Sequence, residues 1–233
     1  MASEQSYLDR VQRAGDLNAA VSLLLPPYAP ADAKFTLAKL TTAITTAEAA
    51  NTEVEEKRVP YQDPAGERVT LVKAIGPLAT QALAYVKSNT AWENRFDAVK
   101  KAADKLRGVR PPAKKPADPE PDKKTRETGD RSYVEIAAHF KSFLDRLDAL
   151  AGFAPQDPKI TSDSLRDIWT ELDRLNKALP LAAQILADAI TDRQQAAIGD
   201  TGLKFVFDGV KTGVKGQYGQ NSTQYAAVKG IKW

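Results

Sequence analysis

His139 follows Glu135 by four residues, so on a helix the carboxylate and the imidazole would share one face and could supply half of a metal site. The carboxylate-bridged di-iron bundles need a Glu-x-x-His pair twice, and this chain has a single histidine. It has no cysteine, which excludes thiolate zinc, Fe–S clusters, disulfides and a Cys nucleophile. There is no Gly-x-Ser-x-Gly, and a Ser-His-Asp triad would have to be built on His139 without a supporting motif. His139 is therefore expected to be solvated or at an interface. The chain is expected to be no enzyme, with no metal and no cofactor.

Four further groups need weighing. Asn51 and Asn176 interrupt apolar stripes at matching places. They could form a buried polar pair that fixes helix register or meets a polar ligand, but the simpler expectation is that both sit at the seam's edge and reach water. Gly209, Gly213, Gly216 and Gly219 recur every three or four residues. They lack the lysine and the leading strand of a phosphate loop, and read instead as a small-residue face that lets a helix approach its neighbour. Glu53, Glu55 and Glu56 beside Lys57 and Arg58 read as a solvated helix end. Residues 99–117 hold Lys100, Lys101, Lys105, Arg107, Arg110, Lys114 and Lys115 against Asp104 alone. That patch could grip phosphates weakly, but acids return at Asp118, Glu120 and Asp122 and no aromatic is interleaved for stacking, so nucleic acid is not the expected partner.

The elements that would carry these residues occur twice. Tyr28-Ala-Pro-Ala-Asp-Ala-Lys34 lines up with Phe153-Ala-Pro-Gln-Asp-Pro-Lys159, and beyond it Leu40, Ile44, Ala47, Asn51 and Val54 line up with Leu165, Trp169, Leu172, Asn176 and Leu179. Ser6-Tyr7 matches Ser132-Tyr133, and Phe96-Asp-Ala-Val-Lys100 matches Tyr225-Ala-Ala-Val-Lys229. Ordered self-similarity of this kind is the mark of a repeat. The spacing predicts helices over about 4–24, 37–54, 69–87 and 91–106, and again over 132–150, 162–190, 203–215 and 222–229. Pro60 to Gly66 and Gly199 to Gly202 should separate the second and third helices, and Pro180 should kink or break the helix it enters. The expected fold is all-α, a tandem duplication of a three- to four-helix antiparallel bundle: a first unit at 1–109, a Pro/Lys-rich linker at 110–130 and a second unit at 131–233.

The N-terminus lacks a basic stretch followed by an apolar core, and the most apolar runs, Leu17 to Leu25 and Ala178 to Ile190, are too short to span a bilayer, so a cytoplasmic protein is expected. The tail Tyr218-Gly…Ser222…Tyr225…Val228-x-Gly230-Ile-Lys-Trp233 places a large aromatic where docking on the bundle or on a partner would bury it. Together with the aromatic-Ala-Pro turns and Lys105-Leu-Arg-Gly108, this tail resembles that of a set of uncharacterised bacterial α-helical repeat proteins. The resemblance implies a helical repeat fold and carries no activity. The function expected is that of a structural or protein-interaction protein, with itself or another protein as partner. Asn51, Trp169, Asn176, Tyr218, Tyr225 and Trp233 are the candidate contact residues. A small-molecule or ion pocket near Asn51, Trp169 and Asn176 is the alternative, and weak nucleic-acid binding through 99–117 a second one.

Overall fold

The computed structural model describes residues 4–109 and 132–233, and those residues are all-α, with no strand among them. The helices are α1 (Glu4–Ser22), α2 (Leu37–Ser88), α3 (Glu93–Arg107), α4 (Tyr133–Asp148), α5 (Ser162–Ile198), α6 (Leu203–Tyr218) and α7 (Thr223–Lys229). The linker at 110–130 lies outside the described residues, and with it Arg110, Lys114 and Lys115.

Local chemistry explains most of the helix ends. Ser132 closes a capping box on α4, accepting from the Glu135 N–H at 3.2 Å while the Glu135 carboxylate accepts from the Ser132 N–H. Both aromatic-Ala-Pro turns enter the next helix through one 3-10 turn, Ala33–Phe35 or Pro158–Ile160, capped by the preceding aspartate. The Asp32 and Asp157 carboxylates each accept from the N–H two residues on, at 2.9 Å. Pro30 and Pro155 thus precede an Asp-capped 3-10 turn rather than opening the helix themselves.

The expected break at Pro60–Gly66 is absent, and of the kink or break expected at Pro180 the break is not found. α2 runs unbroken from Leu37 to Ser88 through Pro60, Pro64 and Gly66, and α5 continues through Pro180. Each proline removes one backbone hydrogen bond and disfavours the helix by roughly 3 kcal/mol. Packing on both sides outweighs that penalty: Val54 and Ile75 flank Pro60 and Pro64, and Leu179 and Ala189 flank Pro180, all four buried. The Glu53–Arg58 cluster therefore sits inside a helix, not at its end, with Glu55 and Arg58 paired at 3.6 Å. Fusion of the second and third predicted helices also changes the length argument. By length and composition alone α2 could cross a membrane, since it holds an 18-residue window of mean hydropathy 1.3. The break at 199–202, by contrast, is present between α5 and α6.

The chain folds as two compact units whose boundaries do not follow the sequence halves: one unit comprises 1–61 with 182–233, the other 62–181. The first unit holds α1, the N-terminal part of α2, the end of α5, α6 and α7. Its core joins Ala14, Leu17, Val21, Leu40 and Ala47 to Leu203, Phe207, Val210, Val214 and Val228. The second unit holds the C-terminal part of α2, α3, α4 and the first part of α5, with a core of Ile75, Ala79, Ala82, Val99, Phe140, Phe143, Leu165 and Leu172. Within it α3 and α4 are antiparallel, with Arg95 near the start of α3 donating to the Ala149 carbonyl just beyond the end of α4. The α2 and α5 segments also run antiparallel, because Arg68 reaches Asn176 while Gln81 reaches Asp157.

Candidate functional site

A planar cation over an aromatic ring recurs in both units. In the second, the Arg68 guanidinium carbon lies 3.9 Å from the Tyr133 ring centroid. In the first, that of Arg193 lies 4.4 Å from the Tyr7 ring, and Arg193 is the one charged side chain among the buried described residues. Stacking removes the guanidinium face from water while the ring quadrupole offsets part of the lost hydration. Asn176 completes the second arrangement: its amide nitrogen donates to the Tyr133 carbonyl at 3.0 Å, and its oxygen lies 3.5 Å from an Arg68 nitrogen. Asn176 is thus half-buried and bonded within the protein rather than reaching freely into water. Asn51 is half-buried too, in the first unit.

The remaining candidate contact residues also face inward. Trp169 donates its indole N–H to the Ala137 carbonyl at 3.2 Å, with the Lys141 ammonium 5.6 Å from its ring. Tyr218 donates to the Pro26 carbonyl at 2.5 Å, beside Gln217, which accepts from the Ala29 N–H and donates to the Pro27 carbonyl. Trp233 packs edge-on against Phe207, ring centroids 5.4 Å apart, under the Arg10 guanidinium. Tyr225 is half-buried, and its N–H is capped by the Ser222 hydroxyl. The tail therefore docks on the first unit itself, and Lys211 holds it by donating to the Ile231 carbonyl at 2.5 Å. Burial, with Lys232 nearby, moves the Lys211 ammonium below the ordinary lysine pKa, although Asp208 opposes the shift.

The glycine face has a more specific use than close helix approach. A Cβ on Gly209 would stand 2.1 Å from the Phe35 ring, and one on Gly213 would stand 2.2 Å from the Tyr28 hydroxyl. Two rings from the first aromatic-Ala-Pro turn thus lie directly on the α6 backbone. Burial, followed by Tyr218, raises the Tyr28 phenol above its usual pKa. Gly216 faces open space and Gly219 ends the helix at φ +91°, so these two have other roles. In the second unit the corresponding turn is received by larger groups. Phe153 meets Tyr85 and Trp92 at 5.6 and 6.0 Å, Tyr85 donates to the Ala154 carbonyl, and Gln81 donates to Asp157 at 2.6 Å.

The Glu135 carboxylate serves the α4 cap, so the Glu135–His139 pair is not a free half-site. Among the described residues no group of three or more His, Cys, Asp or Glu side chains could hold a metal. On α3, Asp104 pairs with both Lys100 at 2.8 Å and Arg107 at 2.5 Å, which draws two cations of the basic stretch into one helix-surface cluster. The bond from Lys100 is the leading cause holding the Asp104 carboxyl below its ordinary pKa, with Arg107 adding to it.

The described surface carries open grooves. In the first unit a groove of about 590 Å³ is lined by Lys34, Lys39, Ala43, Gly202, Phe205 and Val206 among others. In the second unit a groove of about 640 Å³ is lined by Ala74, Pro77, Leu78, Lys159, Ser164 and Ile168 among others. Phe205, which also stacks on Phe35 at 5.2 Å, is the exposed aromatic of the first groove. Comparison with family models, with curated proteins and with solved structures gives no match for this chain.

Proposed function

We propose that this chain is a non-enzymatic structural protein that associates through its helical faces. In this reading its two halves, 1–109 and 131–233, are copies of one ancestral unit that bind each other by exchanging helices. The observation that carries the proposal is the repeated stack: Arg68 and Arg193 stand 125 residues apart, and Tyr7 and Tyr133 stand 126 apart. In each unit the arginine comes from one half and the tyrosine from the other.

Further pairs support the same reading. The Leu24 N–H donates to the Val21 carbonyl and the Leu150 N–H to the Leu147 carbonyl, closing α1 and α4 alike. Leu40, Ala47 and Val54 are buried, as are Leu165, Leu172 and Leu179, each 125 residues on. Farther along, Ile75, Ala79, Ala82 and Val86 are buried in step with Leu203, Phe207, Val210 and Val214, now 128 residues on. The offset grows where the second copy inserts its turn at 199–202 and the first runs straight on. The two grooves correspond at the same offsets, Lys34 with Lys159, Ala43 with Ile168 and Phe205 with Pro77.

A protein whose halves recognise each other can accept the matching half of a second copy, and this supports self-association as its biological mode. Light scattering after size exclusion tests it. The mass should rise from 25.3 kDa towards twice that value as concentration increases, and a constant 25.3 kDa at every concentration would sink the proposal.

A further inference from the structure

We infer that each half of the chain carries a recognition surface selective for the opposite half, and that side-chain size enforces the choice. The inference rests on the duplication reading above, which makes positions in the two copies comparable.

In the second unit, α4 brings two large side chains, Phe140 and Phe143, into a core where α2 supplies Ala79 and Ala82. In the first unit α6 brings the one large ring, Phe207, and α1 the smallest residue, Ala14, while Leu17 and Val210 are of intermediate size. α1 brings Ala14 and Leu17, the counterparts of Phe140 and Phe143 at an offset of 126, while α6 supplies Phe207 and Val210, the counterparts of Ala79 and Ala82. All eight side chains are buried, with relative exposure of 1 % or less. Taken together, each core therefore combines a bulkier pair from the second half with a smaller pair from the first half.

Pairing a half with its own kind would destroy that balance. Two second halves would bring Phe140 and Phe143 to Phe207 and Val210, overfilling both cores. Two first halves would bring Ala14 and Leu17 to Ala79 and Ala82, leaving voids in both. The Arg–Tyr stack cannot discriminate, because each half holds one arginine and one tyrosine and a same-half pair would rebuild both stacks. The polar stack is thus the common fastener, and the size pattern is the selective element. The partner fitted by each surface is the opposite half, from the same chain or from a second copy.

The test uses the whole chain with a protease site placed within 110–130, cut after purification. Native mass spectrometry should then find the two fragments as a one-to-one complex. After unfolding in urea and refolding, cross-pairs should exceed same-half pairs by at least about tenfold. Fragments that separate or precipitate on refolding would overturn mutual recognition. A statistical mixture of pairs would overturn size selection while leaving the duplication standing. A gain-of-function variant sharpens the choice: Ala79→Phe with Ala82→Val gives the first half the α6 pair, with its large ring, so pairs of first halves should appear. If the cut variant remains exclusively cross-paired, the size argument fails, because loss of stability alone would not create a new pair.

Discussion

Arg193 covers the ring of Tyr7 from a helix more than 180 residues away in sequence, as Arg68 covers Tyr133 within the other unit. The latter stack is the simpler to dissect. Arg68→Met keeps much of the stem's packing and removes the cation. It should destabilise the protein by about 1–2 kcal/mol, part of it from the lost contact to Asn176. In a double-mutant cycle with Tyr133→Leu the losses should be sub-additive by about 0.5–2 kcal/mol, read from urea unfolding. Strict additivity would mean that ring and guanidinium stabilise the fold independently.

The α6 glycines should divide sharply. Gly209→Ala and Gly213→Ala each drive a methyl into a ring or hydroxyl at just over 2 Å, and each should cost about 1–3 kcal/mol. Gly216→Ala meets nothing within 4 Å and should instead stabilise α6 by up to about 1 kcal/mol. Denaturant midpoints for the three variants decide it, and equal effects would contradict the ring-on-backbone packing.

These contrasts show what was legible in the sequence. The three-and-four spacing of Leu40, Ala47 and Val54 was readable because a helix buries one stripe, and the same rule located Leu165, Leu172 and Leu179. The sequence predicts a break at Pro60–Gly66 that the structure lacks, because a proline's local penalty is visible in sequence and the tertiary packing that outweighs it is not. The partition into units was hidden for a related reason, since apolar stripes do not say which helix they meet. Arg68 and Arg193 did carry a readable signal. They fall at the offset that aligns Leu40 with Leu165, but a charged residue beside an apolar stripe ordinarily passes for surface. The purpose of Gly209 and Gly213 was half-legible: smallness was evident, and the rings of Phe35 and Tyr28 that need it lie too far away in sequence to be linked by spacing.

Acid should loosen the second aromatic-Ala-Pro turn. The Lys159 N–H and then the Gln81 side chain hold the Asp157 carboxyl below its ordinary pKa. A depressed carboxyl pKa contributes stability that is present above the unfolded value, near pH 4, and lost as pH falls through the folded value. Asp157→Asn should therefore be less stable than the parent at pH 7, and the difference should shrink as pH drops below about 4. A difference that stays constant over this range in thermal melts would refute the assignment.

Pro180 offers the most direct check on the unbroken α5. Its side chain is exposed, it lies between buried Leu179 and buried Ala189, and the helix continues from Ser162 to Ile198. Replacement by alanine restores a backbone donor and removes the clash of the ring with the preceding turn, at the cost of a more flexible unfolded chain. Because the helix already accommodates the ring, only part of the roughly 3 kcal/mol intrinsic penalty is recoverable. Pro180→Ala should raise stability by about 1 kcal/mol and the melting temperature by a few degrees, with unchanged far-ultraviolet circular dichroism. A destabilised variant would mean that the proline's restriction of the unfolded chain outweighs the helix penalty at this position.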